Sequence, residues 1–370
     1  MDAELLKRAE RRLSSWDRVV ILSHARPDGD GLGAMGAMKR VLASSGRSVT
    51  ALVYEDVPHR YRFLDEACGF AKWEPVSPDA LGTRFDGIMI VDTCSWSQLE
   101  PVADVLRASS LPRIVVDHHA TRDDLSGPGA DTLYVIDASA ASTCGMLHGW
   151  SETTGWKIDA VAAEALFTGI VTDTGWFRFS NTDGVTLRSA AALVEKGIRP
   201  DVLYTRLYAS HSPARLGLLG DMLATLTFHA DGAAAVTSLT PEAFARSGAS
   251  KAETEDLVNE PLSVRSVVVS VLLTDVGDGE IRISFRSKSP EVAGRDVDVA
   301  ALAGRFGGGG HRRAAGARVD GRLPDVRQRV TSAVIAALGS CSETTLTTET
   351  QRGLRPQPNG LNHGDADERR

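Results

Sequence analysis

One imidazole and two carboxylates fall within seven residues in the stretch His24-Ala25-Arg26-Pro27-Asp28-Gly29-Asp30. Pro, Asp and Gly are turn formers, so the stretch alone fits a plain turn. Its side chains are also of metal-ligand type. Gly29, Gly31 and Gly33 let the backbone bend sharply and a ligand approach closely. An apolar run over 18–23 precedes it and reads as a buried strand, while Ala-, Met- and Leu-rich residues 34–42 read as a helix. The charged groups therefore belong to a strand-to-helix turn at the carboxyl edge of a sheet, where open α/β sheets bind ligands.

The same pattern recurs. Apolar runs cover 48–54, 86–91, 113–116 and 133–136; the last three end on Asp92-Thr93, Asp117-His118-His119 and Asp137. Strands alternating with helical segments predict a parallel sheet with helices on both faces. An Ala-rich helix from Asp159 to Ile170 leads to Thr172-Asp173-Thr174-Gly175, and Asn181 to Lys196 fits a further helix closed by Gly197. One sheet edge would then collect His24, Asp28, Asp30, Asp92, Asp117, His118, His119 and Asp173. Crowded carboxylates repel in a desolvated cleft, and divalent cations compensate them. Carboxylates with imidazole and no thiolate favour Mn²⁺ or Mg²⁺, with Zn²⁺ and Fe²⁺ left open. The ligands exceed the needs of one ion and suit a pair, which at about 3.5–4 Å apart clamps phosphorus for in-line attack.

Residues 200–226 read as helical, broken near Pro213, and are taken as a connector. From Thr227 short β-rich runs take over, at 234–238, 267–274 and 280–286, followed by Phe306-Gly307-Gly308-Gly309-Gly310-His311 and a helix over 325–338. The expected fold class is α/β: a parallel-sheet domain (1–198), a connector (199–226) and a smaller α/β domain with a mainly antiparallel sheet (227–339), with the active-site cleft between the domains. Residues 340–370, poor in apolar side chains, are expected to form a flexible tail. In the second domain the N–H groups of Gly308, Gly309 and Gly310 could wrap a phosphate, with His311, Arg312 and Arg313 adding charge or donors. Arg286-Ser287-Lys288 is a second basic cluster, and Arg suits bidentate phosphate binding.

The chain has 370 residues, 42% hydrophobic and 24% charged, with net charge −7. That balance argues against a broad nucleic-acid-coating surface but not against a small basic pocket. No run of 18 apolar residues and no signal-peptide core is present, so no membrane segment is expected. Four scattered cysteines, Cys68, Cys94, Cys144 and Cys341, read as free thiols in the cytoplasm.

The set H-x-x-x-D-x-D, V-D-T, D-H-H and T-D-T closely resembles the DHH phosphoesterase family, and G-G-G-G-H-x-x-A-A-G is similar to the signature of its DHHA1 branch. The resemblance covers nearly the whole ordered chain. It implies two Mn²⁺ ions, with Mg²⁺ or another divalent ion as substitute. His24, Asp28 and Asp92 would hold one; Asp30, Asp92, His118 and Asp173 would surround the other. It makes Asp117 the partner that orients an imidazole and sets His119 against the scissile phosphate. Ser284-Phe285-Arg286-Ser287 matches the family's S-x-R-S, which with Gly308, Gly309, Gly310, His311 and Asn259 would hold the substrate's nucleotide. Length, charge and the lack of membrane segments resemble the short nanoRNase/pAp-phosphatase group. The implied substrates are RNA oligomers of a few nucleotides, with 3′-phosphoadenosine 5′-phosphate (pAp) as a second substrate, and not long nucleic acid. Cyclic or linear dinucleotide hydrolysis and a non-catalytic nucleotide sensor are the alternatives, and a homodimer is a base-rate expectation.

Overall fold

The computed structural model describes residues 2–340 except Thr121. The tail expected over 340–370 lies outside them apart from its first residue. The chain divides between Ser210 and His211 into two compact units.

In the first unit six parallel strands run in the order β3-β2-β1-β4-β5-β6: β1 Arg18–Leu22, β2 Ser48–Val53, β3 Ala71–Lys72, β4 Gly87–Val91, β5 Arg113–Asp117 and β6 Thr132–Ile136. β1 pairs with β2 on one side and β4 on the other, so the winding reverses between β1 and β4. Their carboxyl ends therefore diverge into loops that leave a crevice, the place where such sheets bind ligands. Both faces are covered, as a continuous apolar strand requires. Val19, Ile21, Met89, Val91, Ile114 and Val116 face one core with Leu13, Met35, Trp150 and Leu166. Val20, Leu22, Ile88, Ile90 and Val115 face the other with Leu81, Phe85, Leu99 and Leu106.

Two helices matter most for the site. Gly29–Ser44 begins earlier than its apolar run implied, because Asp28 is its N-cap: Asp28 Oδ1 accepts from the N–H groups of Asp30 and Gly31. Asp30 thus sits in the first helical turn. Ala160–Asp173, capped by Asp159, ends on Asp173, so that carboxylate belongs to the helix rather than to the turn after it. The two helices pack at a separation only glycine permits. A Cβ on Gly33 would stand 2.4 Å from the Ala165 carbonyl, and one on Gly169 would stand 2.5 Å from Asp30 Oδ1. Small residues here bring Asp30 and Asp173 together.

The second unit holds one mixed sheet, order β11-β12-β10-β9-β8-β7. Its strands are β7 Thr227–His229, β8 Ala234–Leu239, β9 Val269–Gly277, β10 Glu280–Ser287, β11 Gly309–His311 and β12 Ala314–Asp320. Only the β8–β9 pair is parallel. Ile281, Ile283 and Phe285 of β10 pack under the Val299–Gly304 and Leu323–Ser340 helices, and Arg282, Ser284 and Arg286 alternate to the other face.

Two expectations change. Residues 199–226 are not one connector. Helix Pro200–Tyr208 buries Leu203 and Leu207 in the first unit's core, whereas Pro213–Ala224 buries Leu218 and Met222 against Leu239 and Leu272 of the second. Pro213 starts the second helix and so marks the boundary between units. The glycine run, expected as a turn, is partly strand: Gly309 to His311 pair with Ala314 to Gly316. A Cβ on Gly308 would lie 2.1 Å from the Gly316 carbonyl, so glycine there permits the close backbone approach.

Candidate metal centre and phosphate groove

The ends of β1, β4 and β5 and of helix Ala160–Asp173 deliver their polar groups to one place. His24 Nε2 lies 3.5 Å from Asp92 Oδ2 and 4.0 Å from Asp28 Oδ1. His118 Nε2 lies 3.0 Å from Asp173 Oδ2, 3.7 Å from Asp92 Oδ1 and 3.9 Å from Asp30 Oδ2. Two donor sets follow, each with ligand atoms within 4.8 Å of one another: His24, Asp28 and Asp92; and Asp30, His118 and Asp173. Asp92 lies between them, one carboxylate oxygen toward each histidine. Its backbone is left-handed, φ 62°, a conformation a carboxylate residue tolerates better than a bulky one. His119 joins Asp92 and His118 in a third such set.

The imidazoles are oriented from behind. Asp117 Oδ1 accepts from His119 Nδ1 at 2.7 Å and from the His119 N–H at 3.2 Å. His118 Nδ1 donates to the Ala140 carbonyl at 3.2 Å, so Nε2 is the nitrogen turned into the cluster, toward Asp173, Asp92 and Asp30. A metal-bound histidine has the same arrangement: one ring nitrogen fixed on a carbonyl, the other turned to the carboxylates that share its ion.

Charge is concentrated here at a cost. Burial, then the proximity of Asp30, Asp28 and Asp173, pushes the Asp92 carboxyl well above the usual range. Burial and Asp30 push Asp173 up to about 7. Burial alone would lower His118, but Asp173 and Asp30 outweigh it and hold the ring at about 9. His119 is raised by its bond to Asp117, and His24 is lowered by burial. Without cations the cluster holds extra protons. The donors fit divalent ions that favour oxygen and nitrogen, because the one nearby thiol, Cys144, is held protonated by burial and by Asp30.

The second unit carries a groove of about 580 Å³, lined by Arg282, Ser284 and Arg286 of β10, Gly307 to Gly310, and Ala314 to Arg318. Arg286 donates to the Phe285 carbonyl at 3.1 Å and has no carboxylate in ion-pair range among the described residues. Burial lowers its pKa, and Asp256 opposes that. Gly308, Gly309 and Gly310 share the groove with it. Three other expected residues are placed differently. Ser287 spends its hydroxyl on the Val297 carbonyl at 2.9 Å. Asn259 is exposed on the short helix Leu257–Ser263 and donates to Asp256 Oδ1 at 3.1 Å. His311 is exposed on β11, outside the groove's lining. Arg312 and Arg313 are paired with Asp296, and Arg312 with Asp298 at 3.3 Å, which spends their charge locally.

Sequence reasoning missed Ala140 in the first unit and Arg282 and Arg318 in the second. Ala140 contributes a carbonyl, for which residue type carries no signal. Arg282 was legible as the residue two positions before Ser284, on the same strand face.

Known proteins agree with this architecture. Residues 18–170 match the DHH family, N-terminal domain, and residues 232–339 match the DHHA1 domain. The chain is 32% identical over 335 residues to the bifunctional oligoribonuclease and PAP phosphatase NrnA of Thermus thermophilus, covering 90% of this chain and 92% of that protein. It is 27% identical to a cyclic-di-AMP phosphodiesterase of Geobacillus thermodenitrificans, matching 90% of this chain and 49% of that one. The crystal structure of an exopolyphosphatase-related protein from Bacteroides fragilis superposes with TM-score 0.80 at 25% identity, covering 91% of this chain and 96% of that one. The chain therefore belongs to the DHH phosphoesterase family, in the branch that pairs the DHH domain with a DHHA1 domain.

Proposed function

We propose that the protein is a Mn²⁺-dependent exoribonuclease that degrades RNA oligomers of two to a few nucleotides to mononucleotides, with pAp 3′-phosphatase activity as a second role. The observation that carries this is Asp92, shared between two sets of imidazole and carboxylate donors. His24, Asp28 and Asp92 would hold one ion, and Asp30, Asp92, His118 and Asp173 the other. Two bound divalent ions supply a water deprotonated near neutral pH and charge stabilisation at phosphorus. The protein's own part is positional. Asp117 fixes Nδ1 of His119, and the ring's other nitrogen can donate to the scissile phosphate or the departing oxygen. Arg286 and the glycine run would grip the phosphate of the substrate's far nucleotide.

The NrnA relative, matched nearly end to end, supports short RNA and pAp over a long strand. The net charge of −7 agrees, because tracking a long polyanion needs a basic path. Among the described residues no helix is long and apolar enough to cross a membrane, and Cys68, Cys94 and Cys144 are unpaired, in line with a place in the cytoplasm. Cyclic-dinucleotide hydrolysis is the second reading; the partial match to a cyclic-di-AMP phosphodiesterase favours it. Steady-state rates on pApA, pAp and cyclic di-AMP separate the two. Turnover of pApA and pAp at least tenfold above cyclic di-AMP is expected, and the reverse order would replace the first reading with the second. Asp92→Asn should abolish all three rates while circular dichroism stays native. Tight nucleotide binding without turnover by the intact protein would instead mean a sensor.

A further inference from the structure

The helix Thr143–Thr154 starts beside the metal centre, with Ser142 as its N-cap. Its first two N–H groups reach into the cluster: Thr143 N donates to Asp30 Oδ2 at 2.6 Å and Cys144 N donates to Asp30 Oδ1 at 2.9 Å. Both oxygens of a fully buried carboxylate are thereby held by backbone donors at the positive end of a helix. The Thr143 hydroxyl does something else. It donates to Asp92 Oδ1 at 3.1 Å, and Thr143 is itself fully buried. Asp92 Oδ1 is the oxygen on the His118 side, while Oδ2 is the one on the His24 side.

We infer that Thr143 is a positioning residue for the metal pair. Its hydroxyl fixes the plane of the Asp92 carboxylate so that each oxygen faces its own donor set, and its N–H aims Asp30. Among the described residues Thr143 supplies the one side-chain hydrogen bond to Asp92. Without the hydroxyl, Asp92 can rotate, and one oxygen then no longer serves the His118 side. The N–H contact to Asp30 survives any substitution at 143 that keeps the helix, so the two roles are separable.

This inference rests on the two-metal reading, and Mn²⁺ alone tests it without substrate. Mn²⁺ is titrated calorimetrically into metal-stripped wild type, Thr143→Val and Thr143→Ser. Valine keeps shape and N–H but lacks the hydroxyl; serine keeps the hydroxyl. The expected result is two sites in wild type, with Thr143→Val weakened about 10–100-fold at a shared-Asp92 site, as loss of an outer partner typically gives. Thr143→Ser should return to within a few-fold of wild type. With pApA as substrate, kcat should fall in Thr143→Val at limiting Mn²⁺ with KM little changed. If Thr143→Val fails to fold, an Mn²⁺ affinity of Thr143→Ser equal to wild type and of Thr143→Ala reduced decides in favour, and equal affinities decide against. Superimposable isotherms for wild type and Thr143→Val overturn the role of Thr143 alone. A wild type that binds no Mn²⁺ overturns the metal centre and this role together.

Discussion

At the scale of single residues, the centre stores repulsion that protons or divalent cations relieve. Asp92, Asp30 and Asp173 are buried or nearly so around His118. The carboxyls of Asp92 and Asp173 and the His118 ring all have raised pKa values, Asp173 at about 7 and His118 at about 9. Raised values mean that the folded protein binds more protons than the unfolded chain. The cluster's contribution to metal-free stability is therefore present in acid and falls as pH rises from about 4, where an unfolded Asp titrates, to about 9, where folded His118 loses its proton. His24, lowered by burial, works the other way. Urea unfolding in EDTA across that window should show the decline, and saturating Mn²⁺ should flatten it. A metal-free stability that rises with pH would mean that the carboxylates do not confront one another as described. Asp92→Asn keeps a side chain suited to positive φ and removes a charge. The variant should therefore melt higher than wild type in EDTA, and it should lose activity by more than the roughly 10–100-fold that an outer partner costs.

At the scale of elements, the site depends on how closely two helices pass. Gly169→Ala would put a methyl group 2.3 Å from Cys144 Sγ and 2.5 Å from Asp30 Oδ1, both buried. Overpacking of this kind costs about 1–3 kcal/mol, measurable as a lower urea midpoint. The same methyl should weaken Mn²⁺ binding by displacing Asp30. A variant as stable as wild type with unchanged Mn²⁺ affinity would show that the helices have room to part. The strands that carry His24, Asp92 and His118 were legible because each is an apolar run ending on a charge. Their meeting was legible because parallel strands put their carboxyl ends on one edge. Which carboxylate approaches which imidazole was given by the family resemblance and not by the apolar pattern. That depends on helix approach set by Gly33 and Gly169, on the Ala140 carbonyl behind His118, and on the left-handed turn at Asp92. None of these is a property of residue type alone. In the second unit Arg286 and Gly308 to Gly310 line one groove, whereas Ser287 and Asn259 are engaged in hydrogen bonds to Val297 and Asp256, which residue type does not reveal.

At the scale of the whole molecule, an acidic chain keeps its free cations local. Arg286 and Arg282 line the groove with no carboxylate in ion-pair range among the described residues, while Arg312 and Arg313 are paired with Asp296 and Asp298. Arg286→Ala should raise KM for pApA about tenfold or more, since a hydrogen bond to a charged group contributes about 1.5–3 kcal/mol. Its kcat should change far less than that of Asp92→Asn, because Arg286 belongs to the unit without the metal ligands. An unchanged KM would take the groove out of substrate binding. The most direct test of the central reading is a time course of mononucleotide release from pApA and from a long RNA strand, using metal-stripped protein before and after addition of Mn²⁺. The expected result is no release in EDTA, rapid release from pApA once Mn²⁺ is added, and little from the long strand. Release from pApA that proceeds undiminished in EDTA, or Mn²⁺-dependent degradation that prefers the long strand, would contradict it.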